Sequence, residues 1–264
     1  MDVANLFIPT AGVVGLLSMV TYFFLVVAMF AFLGNSIFAL ATQAGVHPRH
    51  RIAHTLTAVL TALAGLSYYF IQGYYHDMLT GLATVTASSD RQTFIRESYN
   101  AIGQYRYMAW FITAPLLFIQ LVLTVNVQFR DVRRSLLALL IAALFMFLAS
   151  YIGHQQLSFD NEIEVSMKAT WGLVATIDYV FILFTLSRLW KQISDQTQPS
   201  EQRAYRLMAL LTVSCWGIYL LGYFLTLVNI DFNWFHLVFT IADIVNYLGV
   251  SLILYFTSLK IVDQ

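Results

Sequence analysis

At 264 residues the chain is 59% hydrophobic and only 11% charged, with 14 Lys plus Arg balanced by 14 Asp plus Glu. A soluble domain carries about 25% charged residues, so this chain has too few to coat a water-facing surface, and a lipid-embedded protein is implied. The zero net charge removes the overall basic signature of a nucleic-acid binder. A single cysteine, Cys215, excludes an intrachain disulfide and reads as a small apolar packing residue.

Taken in chain order, seven runs reach the roughly 20 apolar residues that a helix needs to cross a bilayer: 11–40, 52–73, 101–127, 135–153, 167–190, 205–228 and 235–259. They predict an all-α integral membrane protein built as one seven-helix transmembrane domain over 1–264. The opening MDVAN places Asp2 and no basic residue ahead of the first run, which therefore lacks the positive flank of a cleaved signal peptide and is expected to remain. The one long connection, 74–100, contains LATVTASSDRQTFI, where β-branched and polar residues alternate, and predicts a short hairpin cap. Lys and Arg accumulate on the cytoplasmic side of membrane proteins. Most fall on one side here, Arg130, Arg133, Arg134 and Arg188 among them, against Arg91, Arg96 and Lys168 on the other. The N-terminus is therefore expected outside, in a multi-pass protein of the inner cell membrane.

Ionisable groups inside a span cost about 2.5 to 3.5 kcal/mol on insertion scales, so they face the bundle interior and are functional candidates. Three lie well inside: Arg106, Asp178 and Asp243. Arg106 and Asp243 sit on helices that enter from the same side and reach similar depth, which predicts an ion pair between the third and seventh helices. Arg106, Thr113 and Gln120 recur every seven residues and form a polar stripe. Asp243, Asn246, Tyr247 and Ser251 form another on the seventh helix. Such stripes suit helix-to-helix hydrogen bonding as well as an ion or proton pathway. Asp178, mid-span in the fifth helix, suits either a neutral carboxyl bonded to another helix or a polar contact to a ligand. The six histidines lack metal-ligand spacing and read as interfacial, so no metal is expected.

The third helix reads QYRYMAWFITAPLLFIQ, the sixth contains WGIYLLGY and the seventh FTIADIVNYLG. With seven spans in register, this resembles the microbial (type 1) rhodopsin family, most closely its light-driven sodium-pump branch. The resemblance implies an opsin-type bundle with Arg106 as the family's extracellular arginine, Trp110 covering one retinal face and Pro115 bending the helix. It implies further that Trp171 lies near the ring end of the pocket, that Trp216, Tyr219 and Tyr223 form its aromatic wall, and that Asp243 stands at the counterion position.

The departures from that pattern carry the functional reading. Four residues after the aspartate the family has the lysine that forms the retinal Schiff base, and Tyr247 stands there instead. The three lysines present, Lys168, Lys191 and Lys260, fall at helix ends, so covalent retinal is not expected. The Asn-Asp-Gln set of the sodium pumps is matched by Ala109, Thr113 and Gln120, which removes the proton acceptor. Leu220 replaces the usual proline of the sixth helix, and Asp178 falls where an apolar residue usually lines the ring end. The resemblance with these losses implies a lysine-less rhodopsin homologue: a non-pumping accessory, ligand-binding or sensory membrane protein rather than an enzyme. Alternative readings are non-covalent binding of retinal or another apolar molecule in the vestigial pocket, a light-independent transporter, or a retinoid-handling protein. The resemblance also implies a homo-oligomer, pentamer or trimer, and a true rhodopsin as a conceivable partner.

Overall fold

In the computed structural model, the described residues are 9–125, 127–158, 162–194, 197–228 and 230–259. Seven helices make up the bundle: α1 Leu16–Thr42, α2 Arg51–Leu82, α3 Ser88–Leu123, α4 Phe129–His154, α5 Val165–Ile193, α6 Pro199–Leu225 and α7 Asn233–Ser258. All seven are long and apolar enough to cross a membrane. Each packs on its chain neighbour, and α7 closes the ring by packing on α1. A helical turn, Ala11–Val14, precedes α1 and is separated from it by Gly15, whose φ of 93° is open to glycine at little cost.

The polarity of α1 shows why these sequences fold as they do in lipid. Its buried residues, Ser18, Thr21, Leu25, Ala28, Phe32, Asn35 and Ala39, alternate three and four apart and form one stripe facing the bundle. Three of them are polar. The opposite face exposes Phe23, Phe30 and Ile37 at 62%, 64% and 69%, which only a hydrocarbon surround tolerates over so wide an area. In α5 Gly172, Ala175, Ile182, Leu186 and Leu189 form a buried stripe along the same logic.

Segment 74–100 is not a hairpin. α2 continues to Leu82 and α3 starts at Ser88, leaving only 83–87 between them. Ile95, Tyr99 and Ile102 are buried at spacings of four and three, a helical period that outweighs the local alternation of β-branched and polar residues. Two arginines secure this end. Arg91 donates to the carbonyls of Leu82 at the end of α2, of Val85 in the following loop and of Val13, and Arg96 makes a two-pronged ion pair with Glu162. Four of the histidines, His50, His54, His154 and His236, stand at helix ends but are turned into the bundle, each at most 2% exposed. His54 Nε2 lies 2.7 Å from the Ser258 hydroxyl oxygen, and His154 Nε2 lies 2.9 Å from the Asn100 carbonyl oxygen.

Candidate functional site

Helix α7 supplies the polar spine of the bundle. Asn233, Thr240, Asp243, Asn246, Tyr247, Ser251 and Ser258 are all buried along one side of it. Asp243, at mid-height, is 1% exposed. Its Oδ1 accepts from the Trp110 indole N–H of α3 at 3.0 Å and from the Tyr219 hydroxyl of α6 at 2.6 Å, and its Oδ2 accepts from the Tyr68 hydroxyl of α2 at 2.6 Å. One carboxyl group thus gathers donors from three other helices. One turn further along α7, the Tyr247 hydroxyl lies 2.6 Å from Thr113 Oγ1. Thr113 gives its own proton to the Ala109 carbonyl, so Tyr247 is the donor. Asn246 accepts from Thr212 of α6 at 3.2 Å.

Aromatic rings fill the space around these groups. Trp110 and Tyr219 stack directly, with ring centroids 4.3 Å apart and an interplanar angle of 17°. Trp216 meets Phe118 and Phe147 edge-on, and Tyr247 meets Phe32 in the same way. Trp110, Thr113, Phe147, Trp216, Tyr219 and Tyr247 pack so closely that no space between them admits a water molecule. Ligand pockets begin at about 300 Å³.

The ion pair expected between Arg106 and Asp243 does not form. Arg106 donates to Thr240 Oγ1 at 3.2 Å, and its guanidinium lies 5.6 Å from the Tyr68 ring centre and 5.8 Å from that of Phe239. Tyr68 touches both charged groups, ring to arginine and hydroxyl to aspartate, and the carboxyl oxygens are already engaged by shorter bonds. Arg106 and Asp243 are therefore neighbours through Tyr68 rather than direct partners.

The residues expected to line one pocket separate into groups. Trp110, Thr113, Trp216, Tyr219, Asp243 and Tyr247 come together at the centre. Gln120 does not join them; it donates from the buried interior of α3 to Thr57 of α2 at 2.6 Å. Tyr223 belongs to a second cluster, where its hydroxyl donates to the Lys168 carbonyl at 2.7 Å and its ring lies 5.6 Å from Lys168 Nζ. Gly153 and Gly172 make room for it, since a Cβ at either position would collide with the Tyr223 ring or hydroxyl. Trp171 packs beside Gly153, outside the central group. Asp178 is half-buried and lies outside it too. The next residue, Tyr179, takes the α6-facing position and donates to the Val213 carbonyl at 2.8 Å, which turns Asp178 a further 100° round the helix. Lys168, though at a helix end, is fully buried. The residue missed from sequence is Tyr68. Its signal is the buried series Thr57, Thr61 and Tyr68 on one face of α2, which marks the inward side of that span.

The family profile for bacteriorhodopsin-like proteins matches residues 18–261. The chain belongs to that family. Among curated relatives of this bacteriorhodopsin-like protein is a gamma-proteobacterial green-light absorbing proteorhodopsin, 23% identical over 90% of this chain and 85% of its own length. The fold is shared with Exiguobacterium sibiricum rhodopsin, with a TM-score of 0.72 at 21% identity over 91% of this chain and 96% of that one. It is shared equally with xanthorhodopsin, described as a light-driven ion pump with dual chromophore, with a TM-score of 0.72 at 20% identity over 92% and 93% of the two chains. The rhodopsin family normally binds retinal. The residues at the centre of this member do not fit that group: the stacked Trp110 and Tyr219 rings occupy one another's faces, and the remaining space is too small for it.

Proposed function

We propose that this bacteriorhodopsin-like protein is a lysine-less, sodium-pump-like homologue that forms no retinal Schiff base and pumps no ions under light. The observation that carries this reading is Tyr247. It stands one turn beyond Asp243, where the resemblance puts the lysine, and its hydroxyl is committed to Thr113. The other lysines support the same reading. Lys168 lies in the first turn of α5 and Lys191 in its last, each remote in sequence from Asp243, while Lys260 lies outside the described residues.

Non-covalent retinal is the weaker alternative, because it would require Trp110 and Tyr219 to part. In our reading Asp243 no longer answers a cationic cofactor. It holds α2, α3 and α6 to α7, and the protein acts as an accessory, binding or sensory membrane component rather than as an enzyme or light-driven transporter. The arginine-rich end, with Arg130, Arg133, Arg134 and Arg188, is taken as cytoplasmic and the N-terminus as outside. Assembly into a closed ring of identical subunits is part of the same proposal.

The test is an absorbance spectrum of the purified protein after incubation with all-trans retinal, followed by hydroxylamine. The expected result is no visible band beyond that of free retinal. A hydroxylamine-sensitive visible band would refute the proposal, since it requires an imine to a lysine.

A further inference from the structure

At the arginine-rich end a cleft of about 550 Å³ opens between the first turns of α4 and the last turns of α5. Arg130, Arg133 and Arg134 line it from α4, and Arg188 faces them from α5. None of these four guanidinium groups has an ion pair or hydrogen bond within the described residues. Other arginines at the same end are engaged by the protein: Arg49 pairs with Glu201 at 3.0 Å, and Arg206 lies 5.3 Å from the centre of the Trp190 ring.

The placement of the α4 arginines is unfavourable on its own terms. Helix N-termini carry partial positive charge and favour acids, yet here three arginines crowd the first turns with Asp131 as the one acidic residue of the first turn. Asp131 also lines the cleft, so four cations face a single carboxylate. The bare amide ends of α4 add to the demand for an anion.

The other walls define what kind of anion. Phe181 and Phe184 lie one to two turns deeper on α5 than Arg188, on the same side, and are 46% and 64% exposed. They extend the cleft from the headgroup level into the hydrocarbon. Behind the arginines, Ser135 donates to Gln192 Oε1 at 2.9 Å. That bond holds the Gln192 amide with its N–H groups still able to donate. The cleft is therefore cationic at its mouth and aromatic at depth, a gradient that a free inorganic anion would not use.

We propose that this cleft binds an anionic phospholipid of the adjoining leaflet, with the phosphate held by the arginines and an acyl chain lying along Phe181 and Phe184. Basic clefts between membrane helices at the cytoplasmic level recognise headgroups in this way, and guanidinium matches phosphate oxygens two at a time. The site is independent of the central aromatic cluster and of whether retinal binds there.

The test uses full-length protein in a neutral detergent, examined by native mass spectrometry and thermal unfolding with phosphatidylglycerol, phosphatidylcholine or inorganic phosphate added. Phosphatidylglycerol should remain as an adduct and raise the unfolding temperature, whereas the other two should not. Arg133→Gln with Arg134→Gln and Arg188→Gln should weaken that adduct about a hundredfold, at the usual contribution of each arginine near an anionic surface. Arg203→Gln, a change at the same end but outside the cleft, should leave it intact. A Phe184→Trp variant should be quenched more by brominated phosphatidylglycerol than by brominated phosphatidylcholine, a readout that does not depend on the triple variant folding. Equal retention of phosphatidylcholine, an equal effect of inorganic phosphate, or an undiminished adduct in a folded triple variant would each overturn the proposal.

Discussion

Two buried polar regions of the bundle differ in how completely the protein answers them. At the centre, Asp243 receives three donors, Tyr247 is bonded to Thr113, and Asn246 is bonded to Thr212. Towards the α2–α3 loop end, Lys168 Nζ, both ring nitrogens of His236, the side-chain amide of Asn100, and Nε and Nη1 of Arg106 have no hydrogen-bond partner among the described residues. Both regions are walled by aromatic rings; Tyr99 touches the rings of both His154 and His236. Burial by itself therefore does not distinguish them. An unanswered buried polar group costs about 1–3 kcal/mol, so the centre is where the bundle is locked and the other region is where it is least satisfied.

The sharpest test of that contrast is Asp243→Ala. It leaves three buried donors without an acceptor, at about 1–3 kcal/mol for each, and should cost at least about 3 kcal/mol, read as a large fall in the unfolding temperature in detergent. A loss under 1 kcal/mol would show that the three bonds do not hold the helices together. Tyr247→Lys should follow in size. It inserts an amine into a space with no room for a water molecule, so the variant should lose stability and form little pigment with added retinal. Combining it with Tyr219→Ala, which removes the ring stacked on Trp110, should increase the visible absorbance; a full pigment yield from Tyr247→Lys alone would mean that the centre opens readily.

Lys168→Met should act in the opposite direction. Removing a buried ammonium that lacks an acceptor should be neutral or stabilising by about 1–3 kcal/mol, and a clear loss would show that the loop-end cluster is as well answered as the centre. The smallest effect belongs to Thr113→Val, which deletes one bond to Tyr247. Interhelical bonds of this kind average about 0.6 kcal/mol with a maximum near 1.7, and a double-mutant cycle with Tyr247→Phe should return a coupling in that range.

The seven spans were legible because lipid leaves a crude mark: long apolar runs interrupted by short polar ones. The segment around Ile95 and Tyr99 was not, since its polar residues face outward on a helix and look locally like a strand. Most of the central residues were legible from the resemblance, yet their roles changed. Trp110 and Tyr219 were expected as walls around a ligand, and they are hydrogen-bond donors stacked on one another. Charge arithmetic paired Arg106 with Asp243 because sequence gives depth but not what stands between two helices, and Tyr68 stands there. Asp178 was placed by counting along α5, and a rotation of 100° per residue was enough to carry it out of the centre.

The heights of α2 and α3 have a mechanical consequence. At 32 and 36 residues they rise about 48 and 54 Å, against a hydrocarbon core of about 30 Å. Asp243 grips them near mid-height through Tyr68 and Trp110, and the end of α2 at Leu82 lies about 20 Å above that grip. The pair is a lever with its fulcrum at a carboxyl group, and a tilt of about five degrees there carries the tip through ~2 Å. Arg91 ties the same tip to Val13 ahead of α1, so the motion would pass to the first helix as well. A dye or spin label in 83–87 would work as the needle of a gauge, registering a change at the centre from outside the membrane.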